Sequence, residues 1–201
     1  MTHSLHRTGT PDGLTSDYVL LAMRAAGIHD RDPEAKETAK AKLISIGEIF
    51  SKHNPTNIMM ERLRRFSPVV TASYTDIETV GNILFELKQK NFGLSIVVSG
   101  LLSEIQKCAK TVGLEPHTVH LSLGIFGKKE LLPPEKFLEI TTQCGHHCIS
   151  PQSVEHALKE IKQGKISIET VSEKLAKPCI CGIVNPIRVR QILQELIAEG
   201  F

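Results

Sequence analysis

Residues 69–100 read VVTASYTDIETVGNILFELKQKNFGLSIVVSG, and this stretch decides the fold. Val69 to Tyr74 is rich in β-branched and aromatic side chains, which suit a pleated, buried surface and predict a strand. Asp76 follows as an N-cap, and Ile77, Val80, Leu84 and Leu87 then recur at the spacing of one helix face. Leu94 to Val98 is a short continuous apolar strand. Working outward toward the C-terminus, Leu101 to Val112 reads as another helix and Thr118 to Phe126 as a third strand. Intervening helices of this length favour right-handed crossovers between parallel strands. The expected fold class is α/β: a three-layer-like βαβαβ core with a largely parallel small sheet, N-terminal packing helices and a helical C-terminal segment that carries cysteines. A ferredoxin-like split of the sheet is the alternative if the chain holds a further strand.

On the N-terminal side, a polar start with His3, His6 and Arg7 leads into the turn-like Gly9-Thr-Pro-Asp-Gly13. Ser16 to Ala26 is expected to be a helix stopped by Gly27. A second helix opens at Pro33, keeps Leu43, Ile46 and Phe50 on one stripe, and ends at Asn54-Pro55. Ile58 to Phe66 shows no clear period. After Pro133-Pro134 the pattern turns to helices alone. One spans Pro134 to Gln143, one carries Val154, Leu158 and Ile161, one is capped by Ser167, and a last one opens at Asn185-Pro186. This divides the chain into an N-terminal helical segment (1–66), a βαβαβ core (67–132) and a helical metal-binding segment (133–201), together one compact domain.

The chain has 24 Lys and Arg against 22 Asp and Glu, a net charge of +2, so overall charge gives no reason to expect nucleic acid or an anionic membrane as partner. With 7 Phe, 2 Tyr and no Trp, the core must be aliphatic. No apolar run approaches the ~20 residues a bilayer span needs, and the start lacks the apolar region of a secretory signal. A soluble cytoplasmic protein is expected. In that reducing setting clustered cysteines serve as metal ligands or redox-active thiols more often than as disulfides.

Four of the 5 cysteines form two tight pairs, Cys144-Gly-His-His-Cys148 and Cys179-Ile-Cys181-Gly182. Both pairs fall at helix boundaries, where unpaired backbone N–H groups and the helix dipole stabilise thiolates. Thiolates and imidazoles hold zinc, iron and iron–sulfur clusters, so Cys144, Cys148, Cys179 and Cys181 are the predicted metal ligands. An iron–sulfur cluster such as [4Fe–4S] is preferred over zinc, because C-x-C is tighter than the usual zinc spacing and Gly145 and Gly182 let backbone approach a bulky cluster. His146 and His147 are candidates for proton transfer or for tuning the sulfurs. Cys108 stands alone in a helical pattern.

Ser99 and Gly100, at the end of a strand, and Lys128 are candidate contacts for a small anionic molecule, as are Asn185 and Arg188. The function expected from these features is a metal-binding, iron–sulfur protein with a redox or lyase-type role, acting on a small anion or with a redox partner protein. Two alternatives come from other classes. The helices around Gly164-Lys165-Ile166-Ser167, followed by Arg188 and Arg190, resemble the start of a helix-turn-helix, which suggests a zinc- or redox-sensing DNA-binding regulator. Cys144 to Cys148 resembles the Cys-Gly-His-Cys site of protein disulfide isomerases over five residues, with one residue more between the cysteines, which suggests thiol–disulfide exchange.

Overall fold

The computed structural model describes residues 7–65 and 68–201. The expected strands Val69–Tyr74 (β3) and Ser95–Ser99 (β4) are present, joined by the helix Ile77–Lys90 (α4) with Asp76 accepting from the Thr79 N–H at its start. They are not adjacent. Between them lies Tyr18–Met23 (β1), antiparallel to both, and Asn57–Ile58 (β2) adds an antiparallel edge beside β3. The order is β2-β3-β1-β4.

The largely parallel sheet expected from the sequence is therefore wrong. The error lies in residues 18–23, which were expected to be helical. Tyr-Val-Leu-Leu-Ala-Met shows no alternation because the strand is central and five of its six residues are buried, and such a run has the same hydropathy as a buried helix. With β1 inserted, β3 and β4 stay mutually parallel but each pairs with an antiparallel neighbour. The topology becomes βαββαβ, the ferredoxin-like split arrangement. Thr118 to Phe126, expected as a third strand, forms no regular structure, and residues 115–132 are exposed throughout.

Alternate residues of each central strand enter different cores. Tyr18, Leu20 and Ala22 of β1, with Val70, Ala72 and Tyr74 of β3, face Pro33–Lys52 (α2), α4 and Leu102–Thr111 (α5). Val19, Leu21 and Val69 face the other way, into a second core shared with Phe137, Ile140, Val154, Leu158, Val171, Ile192, Leu193 and Leu196. Those residues belong to Glu135–Thr141 (α6), Pro151–Lys162 (α7), Ile168–Ala176 (α8) and Pro186–Ala198 (α9). The helical C-terminal segment thus covers the second face of the sheet. The remaining short helices are Pro11–Leu14 (α1) and Met60–Arg65 (α3), and no described helix is long and apolar enough to cross a membrane.

Candidate functional site

The two cysteine loops share one construction. Cys144–Cys148 links α6 to α7, and Cys179–Gly182 links α8 to α9. In each, the carbonyl of the first cysteine accepts from the N–H three residues on: His147 to Cys144 at 3.0 Å, and Gly182 to Cys179 at 3.1 Å. In each, that third residue is left-handed, with φ 55° at His147 and 64° at Gly182. Both chains therefore turn sharply within the span of their cysteines, and both present sulfur toward the same place.

There the thiols meet. Cys179 Sγ lies 4.0 Å from Cys181 Sγ, and Cys181 Sγ lies 3.2 Å from Nδ1 of His146. Cys144 interacts through its side chain with Cys179 and Cys181, and Cys148 interacts with Cys144. All four cysteines are free thiols. Cys144, Cys179 and Cys181 are buried, Cys148 is half-buried, and His146 and His147 are exposed, so the cluster opens to solvent on the histidine side.

The thiols do not ionise alike. The Cys179 and Cys181 thiols, followed by the backbone N–H groups of Cys148 and His146, hold Cys144 far below the ordinary thiol range. Cys181 is pushed far up, first by its contacts with Cys144 and Cys179 and then by burial. Burial, then Cys144, raises Cys148. These sulfurs lie close enough to shift one another's ionisation in opposite directions, Cys144 downward and Cys181 upward. Among the described residues, no group of three or more His, Cys, Asp or Glu side chains is already gathered around a point that could hold a metal ion.

The backbone around the second loop is tied at successive carbonyls. Thr71 Oγ1 of β3 donates to Cys181 O, Arg7 Nη2 to Ile183 O, and Asn57 Nδ2 to Val184 O at 2.9 Å. Arg7 also reaches the first loop, donating from Nη1 to Gln143 O at 3.1 Å. One guanidinium thus spans both cysteine loops, and its Nε lies 3.2 Å from Asp17 Oδ2 with both side chains 2% exposed. Gly182 completes the docking: a Cβ there would stand 2.5 Å from Ile58 C and 2.7 Å from Met59 N, both backbone atoms. Gly182→Ala adds that clash to a left-handed strain, and is expected to cost about 1–3 kcal/mol in denaturant unfolding, whereas Gly164→Ala, with open space around it, should cost less.

The other predicted site residues lie apart from the sulfurs in different ways. Asn185 is fully buried and caps α9, accepting from the Ile187 and Arg188 N–H groups while donating to Ser16 O at 3.0 Å and Asp17 Oδ1 at 3.3 Å. Arg188 is 3% exposed and its Nη2 lies 2.5 Å from Glu139 Oε2, so its charge is spent inside the fold. Ser99 and Gly100 end β4, with Gly100 lying against the Tyr18 ring. Lys128 lies on the exposed 115–132 stretch. His3 and His6 fall outside the described residues.

Sequence reading missed Asn57, Thr71, Asp17, Glu139 and Gln143. Only Thr71 left a usable sign, as a hydroxyl inside a strand buried on both faces, where a polar group needs a partner. Comparison with protein-family models, with curated proteins and with solved structures finds no match.

Proposed function

We propose that this protein is a thiolate metal-binding protein in which Cys144, Cys148, Cys179 and Cys181 take up one tetrahedral ion, zinc in the first place. The observation that carries this is the convergence of two similarly turned cysteine loops on one cluster of sulfurs. Thiolates about 2.3 Å from a tetrahedral zinc are roughly 3.8 Å apart. The 4.0 Å between Cys179 and Cys181 is close to that edge. Cys144, whose thiol its neighbours hold low, offers the first ligand, and the remaining thiols must lose their protons and turn inward as the metal enters. The N–H groups of His146 and Cys148 that point at Cys144 would stabilise the charge of the filled site.

The geometry weighs against a larger cluster in one respect. Gly182 lacks a side chain because Ile58 and Met59 occupy that space, not to make room for inorganic sulfide. Iron–sulfur remains the second reading, favoured by the solvent-facing corner at Cys148, His146 and His147, where an open iron would meet a substrate or a redox partner. The DNA-binding alternative has less support. The exposed face of α8 carries Glu169, Thr170, Glu173 and Lys174, and Arg188 is paired with Glu139, so neither the exposed face of α8 nor Arg188 offers a basic surface to a DNA backbone.

Metal and acid-labile sulfide analysis of protein purified without oxygen tests the reading. One colourless zinc per chain is the expected result. Iron with matching sulfide and visible colour would move the site to the iron–sulfur class. Well-folded, metal-free protein that gains no metal on reconstitution would overturn the proposal in favour of thiol–disulfide exchange.

A further inference from the structure

The sheet has two edges, and they are protected differently. β2 is two residues long, so that edge offers almost nothing to pair with. Among the described strands, β4 (Ser95–Ser99) has β1 as its single neighbour, and its Ser95-Ile-Val-Val98 stretch carries neither a charged residue nor a proline, the usual guards of an exposed edge. Val97 of β4, and Met23 of β1 on the same face of the sheet, are 39% and 44% exposed.

The same chain holds a matching strand-former. Thr118-Val-His-Leu-Ser-Leu123 alternates apolar and polar side chains at the period of a half-buried strand, is about the length of β4, and ends at Gly124, whose φ of 93° turns the chain. Its apolar side chains face solvent: Leu121 is 68% and Leu123 87% exposed. Lys88 Nζ pins the preceding link to α4 through Val112 O at 3.0 Å and Gly113 O at 2.9 Å, and Leu114 packs into the core on the helix side.

We infer that the open edge of β4 is an interface for a second copy of this chain, and that its occupant is the Thr118–Leu123 run of that copy. Each copy then gives one strand and receives one, so the contact is isologous and closes as a dimer. Backbone bonds along β4 set the pairing, and Val119, Leu121 and Leu123 leave water together on one face of the extended sheet. This inference is independent of the metal.

Light scattering on the full-length protein at high micromolar concentration is expected to give twice the chain mass. Leu121→Asp with Leu123→Asp should yield a monomer with unchanged far-ultraviolet circular dichroism, since neither side chain belongs to the monomer's core. Val97→Lys, a charge on the accepting edge, should weaken the dimer in the same way. Amide exchange should show Thr118–Leu123 protected in the dimer and open in the variants. A wild-type monomer at every concentration would overturn the inference, and so would a dimer that both sets of substitutions leave intact. A monomer with a protected Thr118–Leu123 run would place that run on its own β4 and overturn it equally.

Discussion

Cys181→Ser is expected to abolish stoichiometric metal binding, and Cys179→Ser to do the same. Serine keeps the size of cysteine but loses the soft donor, and its hydroxyl does not ionise near neutral pH, so one corner of a tetrahedral site becomes a neutral oxygen. The loss should exceed the roughly 10- to 100-fold that removing an outer partner of a metal ligand costs. Cys181 is the sharper case because its sulfur contacts Cys179, Cys144 and His146 together. Its backbone is held independently by Thr71, so the substitution changes the donor while the loop keeps its anchor. Cys148→Ser, at the half-buried corner, should retain weakened binding. Cys108→Ser should leave metal binding unchanged, as that thiol sits on α5 in the core on the opposite face of the sheet from the clustered cysteines, 3.6 Å from Ile77 O. Competition with a chromogenic chelator reads all four variants, and full metal retention in both Cys179→Ser and Cys181→Ser would remove these residues from the ligand set.

A structural zinc also supplies folding free energy, on the order of 10 kcal/mol in small zinc modules. Here the sulfurs join α6–α7 to α8–α9, the helices that cover the second face of the sheet. Metal loss should therefore loosen the C-terminal helices first, while the core between the sheet and α2, α4 and α5 persists. Amide exchange in α8 and α9 should rise in Cys181→Ser more than exchange in α4.

The longer helices are legible where one face stays in water, whereas α1 reads as a turn and α3 shows no clear period. Helices α2, α4, α5, α7, α8 and α9 show apolar stripes, and Asp76, Ser167 and Asn185 accept from N–H groups at helix starts as the caps they resemble, while α5 starts after Leu101 without a side-chain cap. The central strand was illegible for the converse reason. With both faces buried, Tyr18–Met23 has no polar phase to reveal its period, and its misreading as a helix changed the whole sheet from antiparallel to parallel. Residues 118–126 failed oppositely: the alternation of a strand is there, but alternation alone does not pair a strand, and the run forms no regular structure. Grouping of the cysteines was visible because their chemistry is local. The groups that hold the loops come from positions as far away as Arg7, and nothing local in the sequence marks an arginine for a carbonyl 176 residues on.

Arg7→Met is expected to destabilise the fold by about 3–5 kcal/mol, the usual cost of breaking a buried ion pair from one side. Three groups lose their partner at once: Asp17 Oδ2, Gln143 O and Ile183 O. Each abandoned carbonyl costs about 1–3 kcal/mol unless water reaches it. The carboxylate has a way out, because burial already pushes the Asp17 carboxyl above its ordinary range against the opposing pull of Arg7, and removing that pull favours the neutral acid further. Asp17→Asn in the Arg7→Met background separates the two effects. It removes the stranded charge while keeping an acceptor near Asn185, so stability should recover in part. The carbonyls of Gln143 and Ile183 remain unclamped in the double variant, and they flank the two cysteine loops. Metal affinity should therefore stay reduced even where stability returns. Arg7→Lys should rescue neither property fully, since a single ammonium cannot span two carbonyls and a carboxylate in the way a planar guanidinium does. If metal affinity recovered in step with stability across Arg7→Met, Arg7→Lys and the double variant, Arg7 would be a folding residue alone. If affinity tracks the two carbonyl bonds while stability tracks the ion pair, the N-terminal strap positions the sulfurs.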